Sequence, residues 1–307
     1  MLKTVAALYL GTAVLFPAVV LAQSGTGASA LPQRPPIIDV HRHAASRAGL
    51  RTTLAEMDSL GIVLALVSGP PDASEAWAAA EPKRIVAGVL FPCPGGRVPN
   101  GGPECFAGGA EFPTINYLRS EFAAGRLQFL GEVTTQYAGI SPADPRMEPY
   151  YALAEELDIP VAIHLALAPV STPYKCCPSF RSALGNPLQL EDVLIKHPKL
   201  RVLVMHAGYP YLAEMKALML VYPQVYVDVA AIDLPFILPR VEFHDYLQGL
   251  MRAGLGKRIL FGSDYSPIRT AIEAIETASF LSQKEKRDIF YNNAVCFLKL
   301  DSATCAP

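Results

Sequence analysis

Positive charge is not in excess: 26 Lys and Arg stand against 28 Asp and Glu, a formal net charge of −2 over 307 residues. The chain therefore offers no broad positive field to a phosphate backbone, and no nucleic-acid partner is expected. Only 18% of residues are charged and 51% are hydrophobic, which excludes the composition of a disordered chain. Cysteine is sparse, six in all, and no CxxC spacing occurs, so a zinc-thiolate site is disfavoured. Beyond residue 22 no apolar run is long enough for a transmembrane helix. No Gly-rich phosphate loop follows the first predicted strand, which argues against a doubly wound dinucleotide-binding sheet.

What is present begins with an address. Lys3 precedes an apolar run from Val5 to Ala22 that ends in Val20-Leu21-Ala22, with small residues where a signal peptidase cuts. Residues 1–22 are read as a signal peptide, with an uncleaved membrane anchor as the competitor, and 23–36 as a Pro-ended linker. The expected location is the periplasm or the exterior, and no stable membrane span is expected after cleavage. An oxidising compartment makes the six cysteines readable as disulfides. Cys93 with Cys105 and Cys296 with Cys305 can each close a short loop, while the adjacent Cys176 and Cys177 are left as a vicinal bridge, partners of other cysteines, or reduced thiols.

Proline is abundant, 27 of 307, about 9% against a usual ~5%, and it punctuates many short elements. From Ile37 onward, β-branched runs alternate with longer amphipathic stretches, the pattern of repeated βα units. Eight strands are predicted at 37–43, 62–68, 84–90, 127–133, 161–165, 202–206, 225–229 and 259–262. Helices are predicted at 54–60, 115–124, 147–157, 188–196, 211–221, 243–253 and 268–280. Eight such units predict a single-domain (β/α)8 TIM barrel over residues 37–301, followed by a tail at 302–307.

Several strands run apolar to their last residues and then present His41 and His43, Glu132, His164, His206, Asp228 or Asp264. In a parallel barrel these strand ends converge on one face, where active sites are built. His41 and His43, two apart on a strand, leave the same side and can reach one ion. His164 and Asp264 are the natural third and fourth ligands. Imidazoles and carboxylates without thiolates suit zinc or another hydrolytic metal, whose bound water would supply hydroxide at neutral pH with His206 beside it.

The ordered set Ile38-Asp39-Val40-His41-Arg42-His43, His164, Met205-His206-Ala207-Gly208 and Phe261-Gly262-Ser263-Asp264 resembles the amidohydrolase superfamily, most closely the amidohydrolase-related branch that also contains decarboxylases. The resemblance implies metal ligation by His41, His43, His164 and Asp264, with His206 as the catalytic histidine and Asp264 also shuttling a proton. Glu132 occupies the fourth strand, where binuclear members place a bridging lysine or glutamate. Both one metal with Glu132 orienting a ligand and two metals bridged by it fit the pattern; a single zinc is the expectation.

The implied function is hydrolysis of a small ester, lactone or amide by metal-activated water. The alternative is a metal-dependent decarboxylase of the same branch, and a third reading is a metal-holding binding protein without turnover. Arg181 or Lys175, in the long segment after the fifth strand, offers a cation for a substrate carboxylate, with a solvated surface charge as the alternative. His197 and His244 are expected to be solvated or capping residues. Apolar barrel helices offer surfaces for a homodimer, and ordinary core packing explains them as well.

Overall fold

Eight short parallel strands carry the architecture of the computed structural model, which describes residues 35–99, 102–109, 111–265, 267–301 and 305. They are β1 Ile37–His43, β2 Ile62–Gly69, β3 Ile85–Val89, β4 Leu130–Val133, β5 Val161–His164, β6 Val202–Met205, β7 Val225–Asp228 and β8 Ile259–Leu260. Strands β1 to β3 and β4 to β8 pair in sequence order. Parallel bridges Gly88 to Phe129 and Phe91 to Val133 join β3 to β4, and Arg42 to Asp264 joins the end of β8 to β1. The ring is closed, as the eight-unit pattern predicts. The signal peptide and nearly all of the predicted linker lie outside the described residues, as does most of the 302–307 tail.

Helices surround the ring: α1 Leu50–Leu60, α2 Pro71–Ala80, α3 Ile115–Ala123, α4 Glu148–Glu156, α5 Thr172–Lys175, α6 Glu191–Lys196, α7 Leu212–Val221, α8 Arg240–Arg252, α9 Ile268–Glu276, α10 Gln283–Arg287 and α11 Asn293–Phe297. Among the described residues, no helix is long and apolar enough to cross a membrane. α1 stops at Gly61, whose φ of 75° closes the helix in the left-handed region, where a side chain would be strained.

Alternate strand residues feed two apolar clusters. Ala65, Val67, Val161, Ile163, Val202 and Val204 pack outward against the helices. Ile38, Val40, Leu66, Phe129, Leu203, Met205 and Leu260 fill the barrel interior with Ala294, Val295 and Phe297 of α11. Burial of both strand faces explains the continuous apolar runs in the sequence. The interior therefore holds packed side chains beneath the catalytic end, and only the strand ends are left for polar chemistry.

In β1 the pairing register shifts between Asp39 and Arg42. The shift passes the inward-facing positions from Ile38 and Val40 to His41 and His43. Simple alternation would have kept His41 and His43 on the face opposite the interior residues; the bulge places them at the mouth.

Candidate metal centre

His41 and His43 arrive with their rings fixed from behind. His41 Nδ1 donates to Asp228 Oδ2 at 3.1 Å, and His43 Nδ1 shares a hydrogen bond with Ser68 Oγ at 2.9 Å. Asp39 pins the ends of β1 and β8 by accepting from His41 N, Ser263 N and Ser263 Oγ at 3.1, 3.0 and 2.5 Å. Arg42 points away, to Ser263 Oγ and Glu56. Gly262 permits the close approach of β8, because a Cβ there would lie 2.7 Å from that of His41.

These anchors leave the Nε2 atoms of His41 and His43 buried without a hydrogen bond, and His164 Nε2 shares that condition. An orphaned buried nitrogen costs free energy unless an ion or a water takes it. His43 Nε2 lies 3.2 Å from Glu132 Oε2 and 3.1 Å from Asp264 Oδ1, and His41 Nε2 lies 3.7 and 3.9 Å from the same oxygens. Donor atoms about 2.0–2.2 Å from one ion stand roughly 3–3.6 Å apart. His41, His43 and Glu132 accordingly form one group able to hold a metal ion.

The other oxygen of Glu132 belongs to a second group. Oε1 lies 2.8 Å from His164 Nδ1 and 3.9 Å from His206 Nε2, and the two histidine nitrogens are 3.1 Å apart. Glu132, His164 and His206 again form a group able to hold an ion. His206 Nδ1 donates to Ala230 O at 2.9 Å, which fixes the ring with Nε2 turned toward Glu132 and His164. His206 and Asp264 have φ of 57° and 54°, a left-handed conformation that is rare outside glycine and recurs at functional sites.

The family model described as Amidohydrolase (Amidohydro_2) matches residues 118–300. The chain belongs to this amidohydrolase family. No curated protein matches it. Among solved structures it resembles an uncharacterised TIM-barrel protein from Bordetella bronchiseptica, with 17% identity, a TM-score of 0.63, and 86% of this chain and 98% of that one covered. It also resembles a probable 2-pyrone-4,6-dicarboxylic acid hydrolase from Acinetobacter baumannii, with citric acid bound, at 14% identity, TM-score 0.61, and coverage of 86% and 99%. A third is 5-carboxyvanillate decarboxylase from Novosphingobium aromaticivorans, complexed with manganese and 4-hydroxy-3-methoxy-5-nitrobenzoic acid, at 14% identity, TM-score 0.58, and coverage of 87% and 97%. At these identities the likeness establishes the barrel fold.

In this member of the family, buried charges organise one another. Burial opposes ionisation of Glu132, but His164, His206, His41 and His43 outweigh it and hold the carboxyl well below its usual range. Burial likewise works against Asp264, and His43, His41 and His206 bring it down to about 2. Burial opposes charge on His41, yet Asp228, Glu132 and Asp264 raise its pKa well above the ordinary value. Both carboxylates are thus ionised, the form a metal requires.

All six polar residues expected at the metal or beside it, His41, His43, Glu132, His164, His206 and Asp264, come together. Arg181 does not join them. It is exposed, donates to the carbonyls of Pro178 and Phe180 at 2.9 and 2.7 Å, and lines a separate cleft of about 850 Å³ with Val170, Tyr174 and Tyr211. Of the two roles expected of His197, solvated or capping, the structure shows the second: it is 5% exposed, closes α6 as its C-cap through its N–H to Val193 O at 2.8 Å, and ties α6 to α4 through Glu155 at 3.0 Å and Glu148 at 3.2 Å. His244 caps nothing on its own helix and reaches Ala274 O of α9 at 2.9 Å. The bridges Cys93 to Cys105 and Cys296 to Cys305 are formed as expected, and Cys176 bonds to Cys177.

Two tyrosines at the site escape a search restricted to histidines and carboxylates. Tyr265 stacks on His43 with ring centroids 4.3 Å apart and planes at 11°. Tyr137 packs on His164 at 4.7 Å. Their only signal in the sequence is position, four residues past the end of β4 and five past the end of β8.

Proposed function

We propose that the protein is an exported metal-dependent hydrolase that cleaves a small neutral ester, lactone or amide. The observation that carries this reading is the divided carboxylate of Glu132, one oxygen facing His41 and His43 and the other facing His164 and His206. Two divalent cations would find ligands there, one in His41, His43 and Glu132 and the other in Glu132, His164 and His206. Zinc fits the imidazole and carboxylate donors. This reading assigns two cations where the sequence pattern favoured one, and it moves His206 from free base to metal holder.

Bound cations supply Lewis acidity, polarising a substrate oxygen and lowering the pKa of water. Asp264, ionised and 3.1 Å from His43 Nε2, accepts the proton of the attacking water and returns it to the leaving alkoxide or amine. Water oxygen bonds to the acyl carbon as the C–O or C–N bond breaks. Asp228 and Ser68 keep the rings of His41 and His43 in place during that exchange. An anionic arm long enough to reach the neighbouring cleft would meet Arg181.

The second reading is metal-dependent decarboxylation, favoured by the manganese-bound decarboxylase among proteins of similar fold. In that case a single cation would suffice and the free Nε2 of His206 would handle the proton. Metal analysis of the purified protein combined with a substrate panel separates the two. Two equivalents with ester or lactone hydrolysis support the hydrolase; one equivalent with release of carbon dioxide from an aromatic acid overturns it.

A further inference from the structure

Neighbouring side chains on an extended strand leave opposite faces, yet Asp264 and Tyr265, in the segment after β8, both meet His43. Asp264 Oδ1 lies 3.1 Å from His43 Nε2, and the Tyr265 ring lies nearly parallel on the imidazole, 4.3 Å away. A left-handed φ of 54° at Asp264 breaks the alternation, so both side chains reach the cluster.

The cluster is not equally covered on all sides. The side chains of His41, His43, Glu132, His164 and His206 are at most 6% exposed, whereas that of Asp264 is 15% exposed. Substrate therefore meets the cluster on the Asp264 side. The next residue along the chain is Tyr265, which is 45% exposed. One face of its ring is taken by His43, and its hydroxyl rests by the loop after β3, since a Cβ on Gly102 would lie 2.7 Å from it. Among the described residues no other ring packs on Tyr265. A phenol steadied at two points thus presents its outward face beside the entrance. Any apolar side chain could cover His43; a flat ring held parallel to the imidazole is set to receive a second flat ring.

We propose that Tyr265 determines specificity: its outward face stacks a planar aromatic group of the substrate while the scissile carbonyl reaches the cluster beside Asp264. The proposal rests on the metal-loaded hydrolase reading and narrows its substrates to esters, lactones or amides with an aromatic ring next to the bond cleaved.

Benzylphosphonate and cyclohexylmethylphosphonate carry the same charged head on a flat or a puckered ring. Each is titrated by calorimetry into zinc-loaded protein freed of excess metal. An aromatic stack predicts that wild type and Tyr265→Phe bind the benzyl compound about 2- to 13-fold more tightly. Tyr265→Leu, which still covers His43, loses this preference and keeps its metal. With benzyl acetate as substrate, Tyr265→Leu raises KM and leaves kcat alone, because the stack is made equally in ground and transition states; Tyr265→Phe keeps the wild-type KM. Equal or absent binding of the two phosphonates by wild type, an undiminished preference or unchanged KM in Tyr265→Leu, a lost preference in Tyr265→Phe, or loss of metal from Tyr265→Leu would overturn the proposal. A Tyr265-dependent preference for benzylphosphonate in a protein that hydrolyses no ester, lactone or amide would instead overturn the hydrolase reading and leave the stack in place.

Discussion

Glu132 turns Oε2 toward His43, 3.2 Å away, and Oε1 toward His164, 2.8 Å away. One buried carboxylate thereby belongs to two potential metal sites at once. Glu132→Gln keeps the shape and removes the charge that both sites share, so metal content is expected to fall from two equivalents to one or fewer. Elemental analysis of dialysed protein checks this. A variant that retained the wild-type metal count would show that Glu132 only orients His164.

Asp228 stands behind the cluster. Its Oδ2 accepts from His41 Nδ1 at 3.1 Å, while Oδ1 accepts from His206 N and Ala230 N, both at 3.0 Å. It sets the direction of His41 and the backbone of His206 without facing substrate. Loss of such a carboxylate behind a ligand histidine ordinarily weakens metal binding about 10- to 100-fold. Asp228→Asn should show that loss in competition with a chromophoric chelator, and unchanged affinity would reduce Asp228 to a loop anchor.

Asp233 is buried with both carboxylate oxygens unpartnered. Burial raises its pKa well above normal; Arg240 opposes this, and Asp228, Asp264 and Asp39 add to the rise. The unfolded chain gives up this proton near pH 4 and the folded chain keeps it, so the folded state binds more protons above that point and stability declines as pH rises. Asparagine has no proton to lose. Asp233→Asn should therefore gain Tm over wild type from about pH 4 upward, with the gain vanishing below pH 4. A pH-independent difference between the two proteins would refute the assignment.

The eight strands were legible because they are buried almost throughout on both faces and read as apolar runs, several of them followed by a polar residue. Helix α2, Pro71–Ala80, has no counterpart among the predicted helices, since its alanine-rich segment lacks apolar spacing; Pro71 near its first turn was the available sign. The residues that gather in the candidate cluster were legible from strand ends, but the way they divide into two groups was not. That division depends on how the two oxygens of Glu132 are turned, and the inward direction of His41 and His43 depends on a bulge in β1. Tyr137 was illegible for a different reason: a tyrosine in an apolar loop looks like core until its ring is found against His164.

The loop after β3 is tied by Cys93 and Cys105, twelve residues apart and each 1% exposed, which pack with Leu90 and Val98. Closing a loop of this length contributes about 3 kcal/mol in the chain-entropy account, and in a domain of this size each kcal/mol moves Tm by roughly 2–4 °C. Replacing both cysteines with alanine should lower Tm by about 6–12 °C. The same loop brings Gly102 against the hydroxyl of Tyr265, which stacks on His43, yet supplies none of the six residues of the cluster. Metal content should consequently stay at the wild-type value while Tm falls, as calorimetry and elemental analysis on one preparation can show. Loss of metal in the double variant would mean that the loop holds the ligands in place as well as covering them.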